Sequence, residues 1–390
     1  MALLLPKLLE LIVDPWLGWR SDRLTTRWGR RRPLLLAGAL AFPPAFALLF
    51  ATPDLAGWPA RLAFVTAAYA LSTTAYSLFA VPFVALPGDL SDETRERTRL
   101  VAFRMAFVAL GILLAGAGGP ALIQALGGGR DAYAAAGLAM AGLSGCAMLA
   151  AVIGARTARV EAGVRGESFS RALLAVARAG AFRRLGFAYF LQMASNGANA
   201  AMLAYAAKYL LGAGETLVGL FFGVFTIASL AGTPAFAFAG RRWTKRAGLV
   251  RSTWIYAASM VLLLAAVRGG EPALLAAAVV AGLGNAGTQL FAFALLPDVL
   301  DAERARTGVA REGVFTGVWI AGEKLGLAAG AALVGLLLDA SGFVEGRGAS
   351  QPAAALTMIA LLLSVVPALL MAASALLFTR GEPTENSDER

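Results

Sequence analysis

Residues 27–33 read Arg27-Trp28-Gly29-Arg30-Arg31-Arg32-Pro33, and residues 34–52 continue as LLLAGALAFPPAFALLFAT. The nineteen residues after Pro33 carry no charge. At ~1.5 Å per residue, a helix of that length is matched to a hydrocarbon core of ~30 Å. A barrel strand would be shorter and would alternate apolar with polar residues, which this Leu/Ala-rich run does not. In lipid a helix satisfies every backbone group within itself, and the basic flank marks the end that stays on the cytoplasmic side.

Similar runs recur outward from this one in both directions. They are expected at 1–19, 34–52, 61–87, 100–125, 132–154, 185–211, 217–240, 249–267, 272–297, 314–338 and 352–379, giving eleven transmembrane helices in an all-α membrane protein. Composition agrees: 58% of the 390 residues are hydrophobic and 15% are charged, with a mean hydropathy of +0.69. No water-soluble fold buries that much apolar surface.

The net charge of +10 could suggest nucleic acid, but its placement excludes that reading. Of the 34 Lys and Arg, 26 fall in alternate connections and the C-terminal tail, including six in Arg20–Arg32, seven in Arg156–Arg184 and five in Arg241–Arg251. That bias puts these connections and the tail in the cytoplasm. The chain is thus expected in a bilayer, as a multi-pass protein of a bacterial cytoplasmic membrane, without nucleic acid and as a monomer. Cys146 is the single cysteine and histidine is absent, so no disulfide, zinc site or resident cofactor is expected. Ion chemistry would rest on carboxylates, hydroxyls and amides, which suits H⁺ or Na⁺.

An internal repeat divides the chain. Leu86-Pro87-Gly88-Asp89-Leu90 leads into Arg95, Arg97 and Arg99; 210 residues later Leu296-Pro297-Asp298-Val299-Leu300-Asp301 leads into Arg304, Arg306 and Arg311. Duplicated halves are a transporter architecture. The expected domains are a five-helix bundle at 1–154, a cytoplasmic connection at 155–184 with an amphipathic stretch near Phe169–Ala179, a six-helix bundle at 185–379, and a tail at 380–390. The repeat places the Arg20 loop after the first helix of its half and the Arg241 loop after the second. One front helix is therefore expected to be missing from this half, encoded upstream of Met1 if the start lies further back, or else truly absent.

Asp14-Pro15-Trp16-Leu17-Gly18 running into Asp22-Arg23 and Trp28-Gly29-Arg30-Arg31-Arg32-Pro33 resembles the glycoside-pentoside-hexuronide cation symporters of the major facilitator superfamily, the family of melibiose permease. Val81-Pro82-Phe83, Glu96-Arg97-Thr98, Arg104, Pro297-Asp298, Arg311-Glu312-Gly313 and Lys324 extend the likeness, in order, over essentially the whole chain. The resemblance implies the major facilitator fold of two pseudo-symmetric bundles, with twelve helices of which the first is lacking here. It also implies cation-coupled symport of a sugar-like small solute by alternating access, and no enzyme activity.

Glu10 and Asp14, four residues apart, share one helix face inside a segment read as membrane-spanning. Two carboxylates there demand a cation, a shared proton or a salt bridge. Lys7, three residues before Glu10, is one candidate for that bridge. The resemblance assigns the pair to cation binding and adds a hydroxyl at Ser77; the family's intervening amide is Val13 here, which favours H⁺. No other metal site is expected. Arg104 and Lys324 lie deep in apolar runs, and the resemblance implies that they bind solute or couple it to the cation; the other reading is that they balance buried acids, Glu323 beside Lys324 and Glu10 with Asp14 across the bundle from Arg104. Gln192, Asn196 and Asn199 share one face, and with Gln289 they are candidates for lining the solute cavity, or for hydrogen bonds between helices. The family's galactoside-binding acid falls on Ala80 and its Trp on Val84, so galactosides fit poorly.

Asp22 and Arg23, at a helix end, are expected to pair across helices as a cytoplasmic gate in one state only. Asp89, Asp92, Asp298 and Asp301 are the expected partners of Arg27, Arg30, Arg241 and Arg242. Rival readings are a carrier of a lysophospholipid-like lipid and a non-transporting scaffold or sensor. A membrane enzyme lacks support, since no nucleophile with a base and no metal-ligand set is visible.

Overall fold

A computed structural model describes residues 4–53, 55–91, 93–157, 166–212, 215–240, 242–344 and 351–379. Among these every regular element is a helix. In chain order α1 is Leu4–Arg23, α2 Arg32–Phe50, α3 Trp58–Leu90, α4 Thr94–Leu113, α5 Gly119–Ala125 and α6 Gly129–Gly154. After the connection come α7 Phe169–Arg178, α8 Gly180–Tyr209, α9 Glu215–Ala239, α10 Lys245–Thr307, α11 Glu312–Ala340, α12 Ala353–Leu363 and α13 Val365–Thr379.

The interruptions have local causes. One π turn, Leu114–Gly118, joins α4 to α5, and Pro120 just beyond it has no N–H to donate to the preceding turn. Gly270, at φ 74°, breaks α10 into two helical arms, a backbone conformation that glycine adopts without strain. Ser364 separates α12 from α13, three residues before Pro367. Nine helical stretches among the described residues are long and apolar enough to cross a membrane, with the two arms of α10 counted separately and α12–α13 counted as one. The eleven expected from the sequence also include α1 and α8, which do not reach that apolarity. Lys7, Glu10, Asp14 and Arg20 depress it in α1, as do Arg183, Arg184, Gln192, Asn196 and Asn199 in α8.

The chain forms two compact units, Met1–Arg183 with Phe293–Leu325, and Arg184–Ala292 with Gly326–Arg390. The halves expected from the sequence follow chain order; these units follow contacts, and residues 293–325 group with the first. In that unit Leu35, Ala39, Phe79 and Leu86 form the α2–α3 core with Met148 of α6. α11 comes close to α1 because residue 317 is glycine: a β-carbon there would overlap the carbonyl oxygen of Asp14. In the second unit Met202, Leu203, Phe221, Met260, Leu263, Val334, Ile359 and Met371 lie in one buried cluster.

Candidate functional site

The first unit gathers four of the singled-out residues. α1 presents Glu10 and Asp14 one turn apart, α3 brings Ser77, and α11 brings Lys324. Lys324 lies seven residues after Gly317, two turns along the same helix face, so the close approach at Gly317 sets the lysine against α1. Its Nζ donates to Asp14 Oδ2 at 2.9 Å and to Ser77 Oγ at 3.1 Å, and stands 3.3 Å from Glu10 Oε2. Asp14 and Ser77 are fully buried and Glu10 nearly so. Asp14 Oδ1 accepts no hydrogen bond among the described residues. Lys7, the neutralising partner considered from sequence, is exposed; the salt bridge comes from α11 instead. Sequence offers Lys7, Arg104 and Lys324 as groups that could balance the acids, and with 310 residues between Asp14 and Lys324 spacing cannot choose among them.

The group holds two carboxylates and one ammonium. Buried carboxylates are retained only when paired, since an unpaired ion in low dielectric costs several kcal/mol. Arg104, on α4, lies over the rings of Phe293 at 4.2 Å and Phe83 at 5.9 Å. Phe293 in turn meets Trp319 edge to face at 5.7 Å.

The second unit employs its amides between helices. Gln192 Nε2 donates to Thr253 Oγ1 at 3.2 Å and Ser374 Oγ at 3.1 Å. Asn199 Nδ2 donates to the Leu363 carbonyl at 3.1 Å, where α12 ends. Tyr256 donates to Asn196 Oδ1 at 2.7 Å, and Tyr189 to Gln289 Oε1 at 3.0 Å. Of the two roles left open for these residues, the helix-to-helix one accounts for these bonds.

The Arg-rich helix ends of the first unit carry a buried ion cluster. Arg30 Nη2 lies 3.0 Å from both Asp89 Oδ1 and Glu312 Oε2; Arg31 pairs with Asp89 and reaches Glu312 at 3.6 Å and Asp22 at 3.8 Å. Asp22 accepts the backbone N–H groups of Gly313 at 2.7 Å and Val314 at 2.9 Å. These are among the first N–H groups of α11, which have no partner within their own helix. Burial pushes the Asp22 carboxyl up to about 7; Arg31 pulls it down and Glu312 pushes it further up. Burial opposes the Arg30 cation, yet Asp89, Glu312 and Asp22 together hold it above its ordinary range.

The expected gate pairs are redistributed. Arg27 lies over the Trp28 ring at 5.6 Å and Arg23 over Trp19 at 4.7 Å, while Arg30 and Arg31 take Asp89. Arg97 pairs with Asp301, and Asp298 sits one turn earlier on α10. Asp92 and Arg241 lie outside the described residues. Arg31, Arg97 and Glu312 were not assigned to the gate from sequence, nor was the Arg311–Glu167 pair at 2.9 Å. The signal for Glu312 was available: an acid in the first turn of a helix that follows an arginine-rich segment.

A family model described as MFS/sugar transport protein matches residues 1–382. YagG of Escherichia coli, named for glycoside/cation symport, is 28% identical over 375 residues, covering 95% of this chain and 80% of that one. The isoprimeverose transporter of Lactiplantibacillus pentosus is 24% identical over 368 residues, 90% of this chain and 74% of its own. Among solved structures, a bacterial homologue of the iron transporter ferroportin superposes with a TM-score of 0.72 at 14% identity, over 97% of this chain and 89% of that one, a likeness of fold alone. With the family match spanning nearly its whole length, the chain is an integral multi-pass membrane protein that belongs to the major facilitator superfamily, among the glycoside-pentoside-hexuronide symporters.

Proposed function

We propose that this chain moves a sugar or sugar derivative by alternating access, coupled to H⁺ or Na⁺, with Glu10, Asp14 and Ser77 as the cation-binding group. The observation that carries the reading is the Lys324 ammonium held by these three residues. A ring of two carboxylates and a hydroxyl around a cation is a cation site by its chemistry, and here a side chain stands where a free ion would. An arriving ion or proton competes with Lys324 for Asp14 and Glu10. Its binding frees the lysine, and with it α11, so ion entry and rearrangement are one event. Val13 supplies no amide oxygen, and that favours the proton.

The names of the relatives, one for glycoside/cation symport and one for isoprimeverose, support a sugar-like solute. Arg104 on its two phenylalanine faces is the group we assign to the solute. α1 and α8 complete eleven spans, with Glu10, Asp14, Gln192 and Asn199 buried against protein rather than facing lipid. The Arg-rich ends lie in the cytoplasm of a bacterial cell, and the Asp22–Arg31 cluster parts once per cycle.

Uptake of labelled glycosides, pentosides and hexuronates into proteoliposomes, with and without an imposed H⁺ or Na⁺ gradient, tests the proposal. Asp14→Asn is expected to lower gradient-driven accumulation at least about tenfold, the effect of losing ~1.4 kcal/mol of cation binding, while exchange of solute across the membrane persists. Unchanged accumulation with unchanged cation dependence would make the acid structural and the proposal wrong.

A further inference from the structure

We propose that the outer face of α7 is a docking surface for the anionic headgroups of the surrounding bilayer, and that their binding steadies the ion cluster at the Arg-rich helix ends. This rests on the membrane-spanning fold and not on the identity of the solute.

α7 is strongly two-sided. Ala172, Val176 and, just past its end, Ala179 are buried, and Ser168 caps its first turn by accepting from the Arg171 N–H at 3.4 Å. That inner side is tied to α1 and α11. Trp19 Nε1 donates to the Glu167 carbonyl at 3.1 Å, the Trp19 and Phe169 rings lie 5.8 Å apart, and the Glu167 carboxylate pairs with Arg311 at 2.9 Å. Arg311 immediately precedes α11, one of the helices long and apolar enough to cross a membrane. α7 therefore sits at the mouth of a span, at the depth of lipid headgroups.

The other face carries Arg171, Leu174 and Arg178, at positions i, i+3 and i+7 of one stripe. All three are exposed, Leu174 by 47%. Neither arginine has an ion pair or side-chain hydrogen bond among the described residues, and the one acid between residues 166 and 184, Glu167, is taken by Arg311. A leucine between two outward arginines matches an interface, where the apolar group enters the acyl boundary and the guanidinium groups meet phosphate. A soluble acidic partner would satisfy the arginines and leave the leucine wet, so the observations favour the bilayer. Since Glu167, two residues before α7, bonds Trp19 and Arg311, and Phe169 of α7 meets the Trp19 ring three residues before Asp22, holding α7 down holds the cluster that Asp22 makes with α11.

The full chain in nanodiscs of phosphatidylcholine alone, or of equal parts phosphatidylcholine and phosphatidylglycerol, provides the test. The readout is backbone hydrogen exchange over residues 169–178 and at Gly313 and Val314, at low and high salt. With phosphatidylglycerol, exchange of both segments is expected to slow at low salt, by about fivefold for each arginine engaged, and to recover at high salt. The double variant Arg171→Gln/Arg178→Gln should lose the effect, Arg171→Lys/Arg178→Lys should keep it, and Lys208→Gln, at the far end of α8, should leave it intact. Equal exchange in the two lipids, or a lipid effect that survives the double Gln variant, overturns the docking surface. Protection of α7 without any change at Gly313 and Val314 overturns the link to the cluster.

Discussion

Asp22 joins three parts of the first unit through one carboxylate: it ends α1, opposes Arg31 and accepts two N–H groups of α11. Its proton is held up to about 7, against 3.8 for a free side chain, with burial as the main cause. An acid raised in this way favours the packed state while protonated. The contribution is complete below about 3.8 and is lost as pH rises through about 7. Protection of the Gly313 and Val314 amides, taken relative to the intrinsic exchange rate at each pH, is therefore expected to fall across that window in the wild type and to change much less in Asp22→Asn. How much of the site was legible divides along sequence distance. Glu10 and Asp14 were readable because a four-residue spacing fixes their shared face, and Lys324 was readable as a cation too deep to reach water. Balancing the acids was one of the two roles open to it from sequence; direct contact with Asp14 and Glu10 was not legible, since only tertiary packing sets which distant helix comes close.

At the level of elements, the α1–α11 crossing depends on a missing side chain. Gly317→Ala would drive a methyl into the Asp14 carbonyl, whereas at Gly322 nothing lies within 4 Å of an added β-carbon. Thermal unfolding should show a loss of about 1–3 kcal/mol for the first change; the second should be neutral or stabilising by up to ~1 kcal/mol, the usual preference of a helix for alanine over glycine. Equal effects would mean that the crossing is not tight. Helix positions were legible because long apolar runs bounded by arginine, glycine or proline leave few alternatives; α7 follows its two-sided pattern in the same way. The division between α12 and α13 was missed. Ser364 interrupts a run that reads as one continuous apolar segment, and hydropathy carries no record of where a backbone hydrogen bond is lost.

For the whole chain, the charge bias assigns the side of each connection, and single cysteines can report it. In a Cys146→Ala background, Ser170→Cys on α7 should resist a membrane-impermeant thiol reagent added to intact cells, and Lys208→Cys at the last turn of α8 should react. The reverse pattern would invert the topology and with it the cytoplasmic placement of the Arg30–Asp89 cluster. The grouping of residues 293–325 with the first unit was not legible in this bias or in the repeat, because both follow the order of the chain while packing does not. The lysine at the carboxylate pair sets a limit of a different kind. A counter-ion that is part of the polypeptide cannot be dialysed away, so its local concentration is fixed by the fold and not by the medium. The first unit should keep its integrity in salt-free buffer, and an external cation will register at the pair only once its activity is high enough to outcompete a neighbour that never diffuses off.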